Sequence, residues 1–350
     1  MPELPEATPE AHEAPVSVLG EFTLIDRIIA RLGEVAASDL VVPPGDDAAA
    51  WRTGPGLAVG TIDALVEGTH WRTDTMAWGD VGWRAVTANV SDLAAMGAEP
   101  QYLLIATTLG PALTIDDLDG LIDGITESCR FHSVRVAGGD VVRGPATAIA
   151  IAAYGRIEGG TADAPLLRRS RARAGDFIAV SGTPGASGAG LTLIEAGRGA
   201  EVGIEMLLLA HRRPVARVAL GRAAAASGLR CGMDISDGLL QDLGHIAEGS
   251  EVGIELAAAS LPLHPAAVEA LGARTALDLA LGGGEDFELI LVGPREALVR
   301  LDTPEVPVTL VGRVVPDHPG EVVVWGADGE AYEPPRRGWD QTRDSGERRS

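Results

Sequence analysis

The chain repeats one local arrangement, a small residue beside an acid. It occurs as Gly45-Asp46-Asp47, Thr61-Ile62-Asp63, Ser91-Asp92, Gly138-Gly139-Asp140, Asp234-Ile235-Ser236-Asp237-Gly238 and Gly282-Gly283-Gly284-Glu285-Asp286. Glycine lets the backbone pass close to a ligand, and an acid next to it can then offer oxygen to a hard cation. Each instance alone reads more simply as an ordinary Gly-Asp turn, and Ser236 with Asp237 as a helix cap and first turn. Their recurrence favours oxygen-only ligation of several Mg2+ ions. Several ions in turn imply a polyphosphate, which bare carboxylates would repel. Like charges about 4 Å apart in a partly shielded site repel by about 4 kcal/mol, so the cations are obligatory.

Arginines supply the other half of such a site. The stretch "LLRRSRARAGD" carries Arg168, Arg169, Arg171 and Arg173, and guanidinium makes bidentate contacts with phosphate; a solvated charged approach to a domain is the plainer alternative. All 28 basic residues are arginine. With no lysine the P-loop, a Schiff-base lysine and a protein-kinase-type ATP lysine are excluded. A net charge of −22 argues against a nucleic-acid partner, which needs a basic face. "SGTPGASGAG" matches no dinucleotide fingerprint and reads as a flexible turn. Cys129 and Cys231 are too isolated for a disulfide framework or a zinc site. The acidic, Pro-rich start is unlike a signal peptide, and no apolar run nears the ~20 residues of a membrane span. A cytoplasmic protein without a membrane partner is expected.

The elements that must position these groups alternate along the 350 residues. "GEFTLIDRIIARLG" puts Phe22, Ile25, Ile28, Ile29 and Leu32 on one helical stripe. Strands are expected at 57–62, 102–109 and 146–157, with a helix over about 78–97 between the first two. That helix carries Asn89 and Asp92 on one face. "TIDDLDGLIDGITESCR" is a helix with a Thr cap and acids in its first turn. The linker falls at 158–165. Beyond it come strand 176–182, a helix from about 185, a helix over 214–227, and strands at 251–256, 287–293 and 308–314. Two α/β domains are expected, 18–160 and 161–340, between polar tails 1–17 and 341–350.

Taken together and in order, "GEFTLIDRI", "GDDAA", "LVEGTHW", "NVSDLAAMGAEP", "GGDVVRGP", "SGTPGASGAGL", "MDISDGLLQDLGHI" and "LGGGEDFEL" resemble the thiamine-monophosphate kinases over about residues 19 to 340. The resemblance implies an α/β (α+β), two-domain fold like that of aminoimidazole ribonucleotide synthetase. It also implies a homodimer whose N-terminal sheets pair into a barrel, with ATP and thiamine monophosphate meeting between the domains. By motif position, Asp47, Asp63, Asp92, Asp140 and Asp234 would bind Mg2+ with Thr61 assisting, and Asp237 would hold a further ion. Gly139, Asp140, Arg169 and Ser236 would contact ATP; His70, Glu285 and Trp339 would contact thiamine monophosphate. Ile62 stands where the family usually has Thr and offers only its carbonyl. The number of ions, and any need for K+, stay open. No catalytic general base is expected, because a phosphate acceptor is already ionised at neutral pH. Selenophosphate synthetases and the hydrogenase-maturation protein share the fold but would carry a reactive terminal cysteine, which neither end has here. A ribonucleotide synthetase, or a non-catalytic Mg2+–ATP sensor, remains as an alternative that an activity assay separates.

Overall fold

The computed structural model describes residues 14–19, 21–37, 40–41, 49, 51–158 and 165–339. The described chain divides into two compact units, one running to Leu93 and over Ala98–Ala164, the other formed by Ala94–Gly97 and Pro165 onward.

The first unit contains α1 (Glu21–Leu32), β1 (Leu57–Val66), α2 (Trp78–Ala95), β2 (Glu99–Leu109), α3 (Ile115–His132), β3 (Arg135–Arg143) and β4 (Ala148–Ile157). Its sheet has the order β1-β4-β2-β3. β4 is antiparallel to β1 and to β2, and β2 is parallel to β3. β4 shows why the sheet has two different faces: its residues alternate between buried and half-buried along the whole strand. Ile149, Ile151 and Ala153 lie on the covered face, where Leu93 of α2 meets Gly155. α2 and α3 approach backbone to backbone. A Cβ at Gly82 would lie 2.1 Å from the Leu121 carbonyl oxygen, and one at Gly124 1.8 Å from that of Gly79, so the mid-helix glycines are required by contact. α3 starts at the expected cap. Thr114 accepts from the Asp117 amide (3.1 Å) and its own amide donates to Asp117 Oδ2 (3.0 Å). α1 is held to α3 by Arg27 on Asp119 and Arg31 on Asp123, both with Nε to Oδ1 at 2.7 Å.

The second unit continues with β5 (Phe177–Ser181), α4 (Ala186–Glu195), α5 (Glu205–Arg212), α6 (Val218–Ala226), β6 (Cys231–Asp234), α7 (Leu239–Ser250) and β7 (Gly253–Ala257). It closes with α8 (Pro265–Leu271), α9 (Ala273–Gly282), β8 (Leu289–Gly293), α10 (Arg295–Val299), β9 (Val308–Val315) and β10 (Val322–Trp325). The sheet order is β10-β7-β9-β5-β8-β6, antiparallel throughout except for the β10–β7 pair. β8 is buried on both faces. Ile290 and Val292 pack with Leu239, Leu243 and Ile246 of α7, while Leu289 and Leu291 pack with Leu220 and Ala224 of α6.

Two expectations change. The strand expected at 57–62 runs on to Val66 and so includes Asp63, and Gly138-Gly139-Asp140 sits inside β3, where no strand was expected; glycine and acid density hid the strand character of residues 138–140. Among the described residues no helix is long and apolar enough to cross a membrane.

Candidate active site

In the first unit, β1 is an edge strand and α2 presents Asn89 and Asp92, three residues apart, to it. Thr61 Oγ1 donates to Asp92 Oδ2 at 2.5 Å. The Asp63 amide donates to Asn89 Oδ1 at 3.0 Å, and Asn89 Nδ2 is anchored on the Ala85 carbonyl at 3.0 Å. A side-chain amide therefore occupies an edge N–H of β1, and residues 61, 63 and 92 stand in one group. Two carboxylates and a hydroxyl are hard oxygen donors, a set that fits Mg2+. Ile62, 67% exposed, faces away from them, as expected of a position with no side-chain oxygen. At the far end of β1, His70 closes the turn. Its Nδ1 accepts from the Val66 amide (3.1 Å) and its own amide donates to the Val66 carbonyl (2.9 Å). The neutral ring then carries its proton on Nε2.

Asp140 is not brought to this group within the unit. In the sheet register Asp140 pairs with Ala106, Ala106 with Ala150, and Ala150 with Ala64. Directly paired residues share a face, so Asp140 lies on the face opposite Thr61 and Asp63, three strand spacings or about 14 Å across. Gly139 is its neighbour on β3. Asp46 and Asp47 lie outside the described residues.

In the second unit, Asp234 ends β6, 2% exposed, and residues 235–238 turn into α7. Backbone bonds join this turn to the Gly284–Glu288 stretch. The Glu285 amide donates to the Ser236 carbonyl (2.7 Å), Phe287 to Ile235 (2.9 Å), and Ile235 to Glu288 (2.8 Å). A Cβ on Gly284 would sit 2.7 Å from the Ser236 oxygen, which explains the glycine before the acid. The Trp339 amide donates to the Asp237 carbonyl at 2.9 Å. Gln241 Nε2 bridges Asp237 Oδ2 (3.1 Å) and the Trp339 carbonyl (2.6 Å). Asp234, Ser236, Asp237, Glu285 and Trp339 are thus assembled at one place. Arg169 is not. Its carbonyl accepts from Ser250 at 2.7 Å, beside the C-terminal turn of α7, a helix of 12 residues and hence about 18 Å long.

Side chains to which sequence reasoning gave no such task hold this place together. Asp242, 1% exposed, accepts through Oδ2 from the amides of Ser236 (3.0 Å), Asp237 (3.2 Å) and Gly238 (3.1 Å). Burial, with the nearby Asp234 charge added, pushes its carboxyl up to about 8. Asp286 accepts from the amides of Gly185 (2.7 Å) and Ser187 (3.0 Å) at the start of α4. Burial raises it to about 7 although those two amides act in the other direction. The "SGTPGASGAG" segment is therefore an anchored turn, its first amides taken by a carboxylate, and the expectation of flexibility does not hold. Glu288 forms a two-point ion pair with Arg217, Nε to Oε2 at 2.8 Å and Nη2 to Oε1 at 2.5 Å, and also accepts from Ser181. Three acids of one motif have three separate attachments. Only the spacing of Asp242, four residues after Gly238, hinted at its task in the sequence.

Known proteins give this geometry a context. Residues 45–157 match the model of AIR synthase related protein, N-terminal domain, and residues 173–324 that of the C-terminal domain. The chain is 35% identical over 331 residues, 92% of its length and 98% of the relative's, to a protein named thiamine-monophosphate kinase from Escherichia coli K12. A crystal structure of thiamine-monophosphate kinase from Stenotrophomonas maltophilia K279a superposes with a TM-score of 0.77 at 38% identity, covering 90% of this chain and 98% of that one. A structure described as AaThiL complexed with AMPPCP and TMP gives 0.72 at 32%, covering 93% and 98%. The chain is built on the two-domain AIR synthase related fold and belongs to the thiamine-monophosphate kinase family.

Proposed function

We propose that this protein transfers the γ-phosphoryl group of ATP directly to the phosphate of thiamine monophosphate, giving ADP and thiamine diphosphate, the last step in making that coenzyme. The observation that carries this reading is the assembly of Asp234, Ser236, Asp237, Glu285 and Trp339 around one turn, in a family one of whose structures holds AMPPCP and TMP. When bound, Mg2+ would supply the positive charge that lets phosphates approach these acids. Asp63, Asp92 and Thr61 would hold ions from the first unit, Asp234 and Asp237 from the second, and Asp47 would join them. Ser236 would contact the nucleotide, and His70, Glu285 and Trp339 the thiamine monophosphate. Gly139, Asp140 and Arg169 are assigned to metal and nucleotide on their motifs alone. The chain's own contribution is positioning: residues 236 to 238 are fixed by amide bonds, and Glu285 is fixed by its own. No side chain needs to take a proton, since the acceptor phosphate has a second pKa of about 6.

A homodimer formed through the first sheet is part of this reading. Its support is the sheet's second face, where Ile62 is 67% and Val142 49% exposed and Ala64 and Ala106 are exposed beside them. Asp140 shares this face, but its exposed apolar residues favour being covered. The enzymatic reading is tested by incubating the protein with ATP, Mg2+ and thiamine monophosphate and separating the products. Thiamine diphosphate with matching ADP supports it; ADP alone, or neither, defeats it. A 32P-labelled protein isolated after [γ-32P]ATP without thiamine monophosphate would contradict direct transfer.

A further inference from the structure

We infer that Asp242 is a positioning residue for the nucleotide-and-metal turn, aiming Ser236 and Asp237 by gripping their amides. The inference rests on the assignment of that turn made above. The helix that follows begins at Gly238, which as N-cap has φ 135° and ψ 144° and no side chain to bond the first amides. An N-cap Ser or Asp ordinarily supplies that acceptor. Here it comes from inside the first turn, where Asp242 reaches back to residues 236, 237 and 238 with one oxygen. The three amides that converge on it form a concave anion-binding nest.

Several consequences follow from the geometry. Ser236 and Asp237 turn their amides inward, so their side chains leave the turn on other sides. Asp237 is further steadied by Gln241 on its carboxylate. The Ser236 carbonyl is taken by the Glu285 amide and the Asp237 carbonyl by that of Trp339. Each peptide group of the turn is thereby held on both sides, and Asp242 is the side chain that holds the N–H side. Its Oδ2 is taken by the three amides, so it acts on the reaction through the turn. Loss of its grip lets the turn sample other conformations, and a positioned group displaced by about 1 Å is enough to lose about 100-fold in rate.

Asp242→Asn keeps the shape but leaves one acceptor oxygen and puts an N–H2 donor where the three amides converge. In steady-state assays with full-length protein, the KM for Mg2+–ATP should rise at least tenfold and kcat should fall. The KM for thiamine monophosphate should change less than threefold. Asp237→Asn serves as the reference. If Asp237→Asn leaves Mg2+–ATP kinetics unchanged, the assignment of the turn is wrong. If Asp237→Asn is impaired while a folded Asp242→Asn behaves as wild type, the positioning role is wrong. A loss of thermal stability with both KM values unchanged would make Asp242 merely structural and also defeat the inference. The unsubstituted protein provides a test independent of any variant. Amide hydrogen exchange at residues 236–238 should be slowed without nucleotide, and exchange at open-loop rates there would overturn the proposal.

Discussion

The Asp286→Asn variant offers a test in which sign and size both come from the structure. Asp286 lies in the protein interior with its two oxygens on the amides of Gly185 and Ser187, and burial lifts its carboxyl from 3.8 to about 7. A folded-state value above the unfolded one means that the native protein binds the extra proton between those two pH values. This group's stability contribution is therefore present in full below pH ~4 and is lost as pH rises through ~7. Between pH 5 and pH 8 the loss amounts to about 2–3 kcal/mol. Asparagine cannot titrate, and it places an N–H2 against one of the two helix amides. At pH 5, where both side chains are neutral, Asp286→Asn should be less stable than wild type by about 1–3 kcal/mol. At pH 8 that deficit should shrink by about 2–3 kcal/mol, to near zero. Urea titrations of both proteins at pH 5 and pH 8, at one ionic strength, read the difference directly. A deficit that stays constant or grows toward pH 8 refutes the argument.

Other expectations follow from the same contacts. Asp92→Asn should lower kcat by 100-fold or more with little change in thermal midpoint, since asparagine keeps an oxygen that can accept from Thr61; near-normal thiamine diphosphate production would remove Asp92 from the site. Glu288→Gln strips the charge partner from Arg217 and should destabilise the second unit by about 3 kcal/mol in a denaturant titration. Ile62→Arg places a charge on the exposed sheet face and should yield monomers in size-exclusion chromatography with light scattering, whereas an unchanged oligomer would show that this face is not the contact.

The parts of the site that were legible in the sequence share a cause. Asp92 lies on a helix whose apolar repeat was plain, so its facing direction could be read, and the Thr114 cap announced α3 three residues ahead of Asp117. Asp234, Ser236 and Asp237 were found because a short motif carries them together. Asp63 and Asp140 were located by motif, but the strand holding Asp63 was read as ending at residue 62, and glycines 138 and 139 obscured β3 around Asp140. Whether Asp140 joins Asp63 depends on strand order and register, which local pattern does not encode. Asp242, Glu288 and Arg217 escaped notice, and the buried task of Asp286 went unread, for a different reason. An acid that caps amides or pairs in the interior has the same one-letter code as one at the surface, and only the partner, often tens of residues distant, tells them apart.

The separate moorings of Asp286 and Glu288, next to Glu285, restrict how this stretch can drift over generations. Neutralising position 288 strands a guanidinium at 217 unless that site changes in step, and altering 286 exposes the start of α4 unless residues 185 to 187 find another acceptor. Viable histories through Glu285–Glu288 are therefore paired histories, and chimaeras that exchange the motif without its distant counterparts should be poorer than either parent.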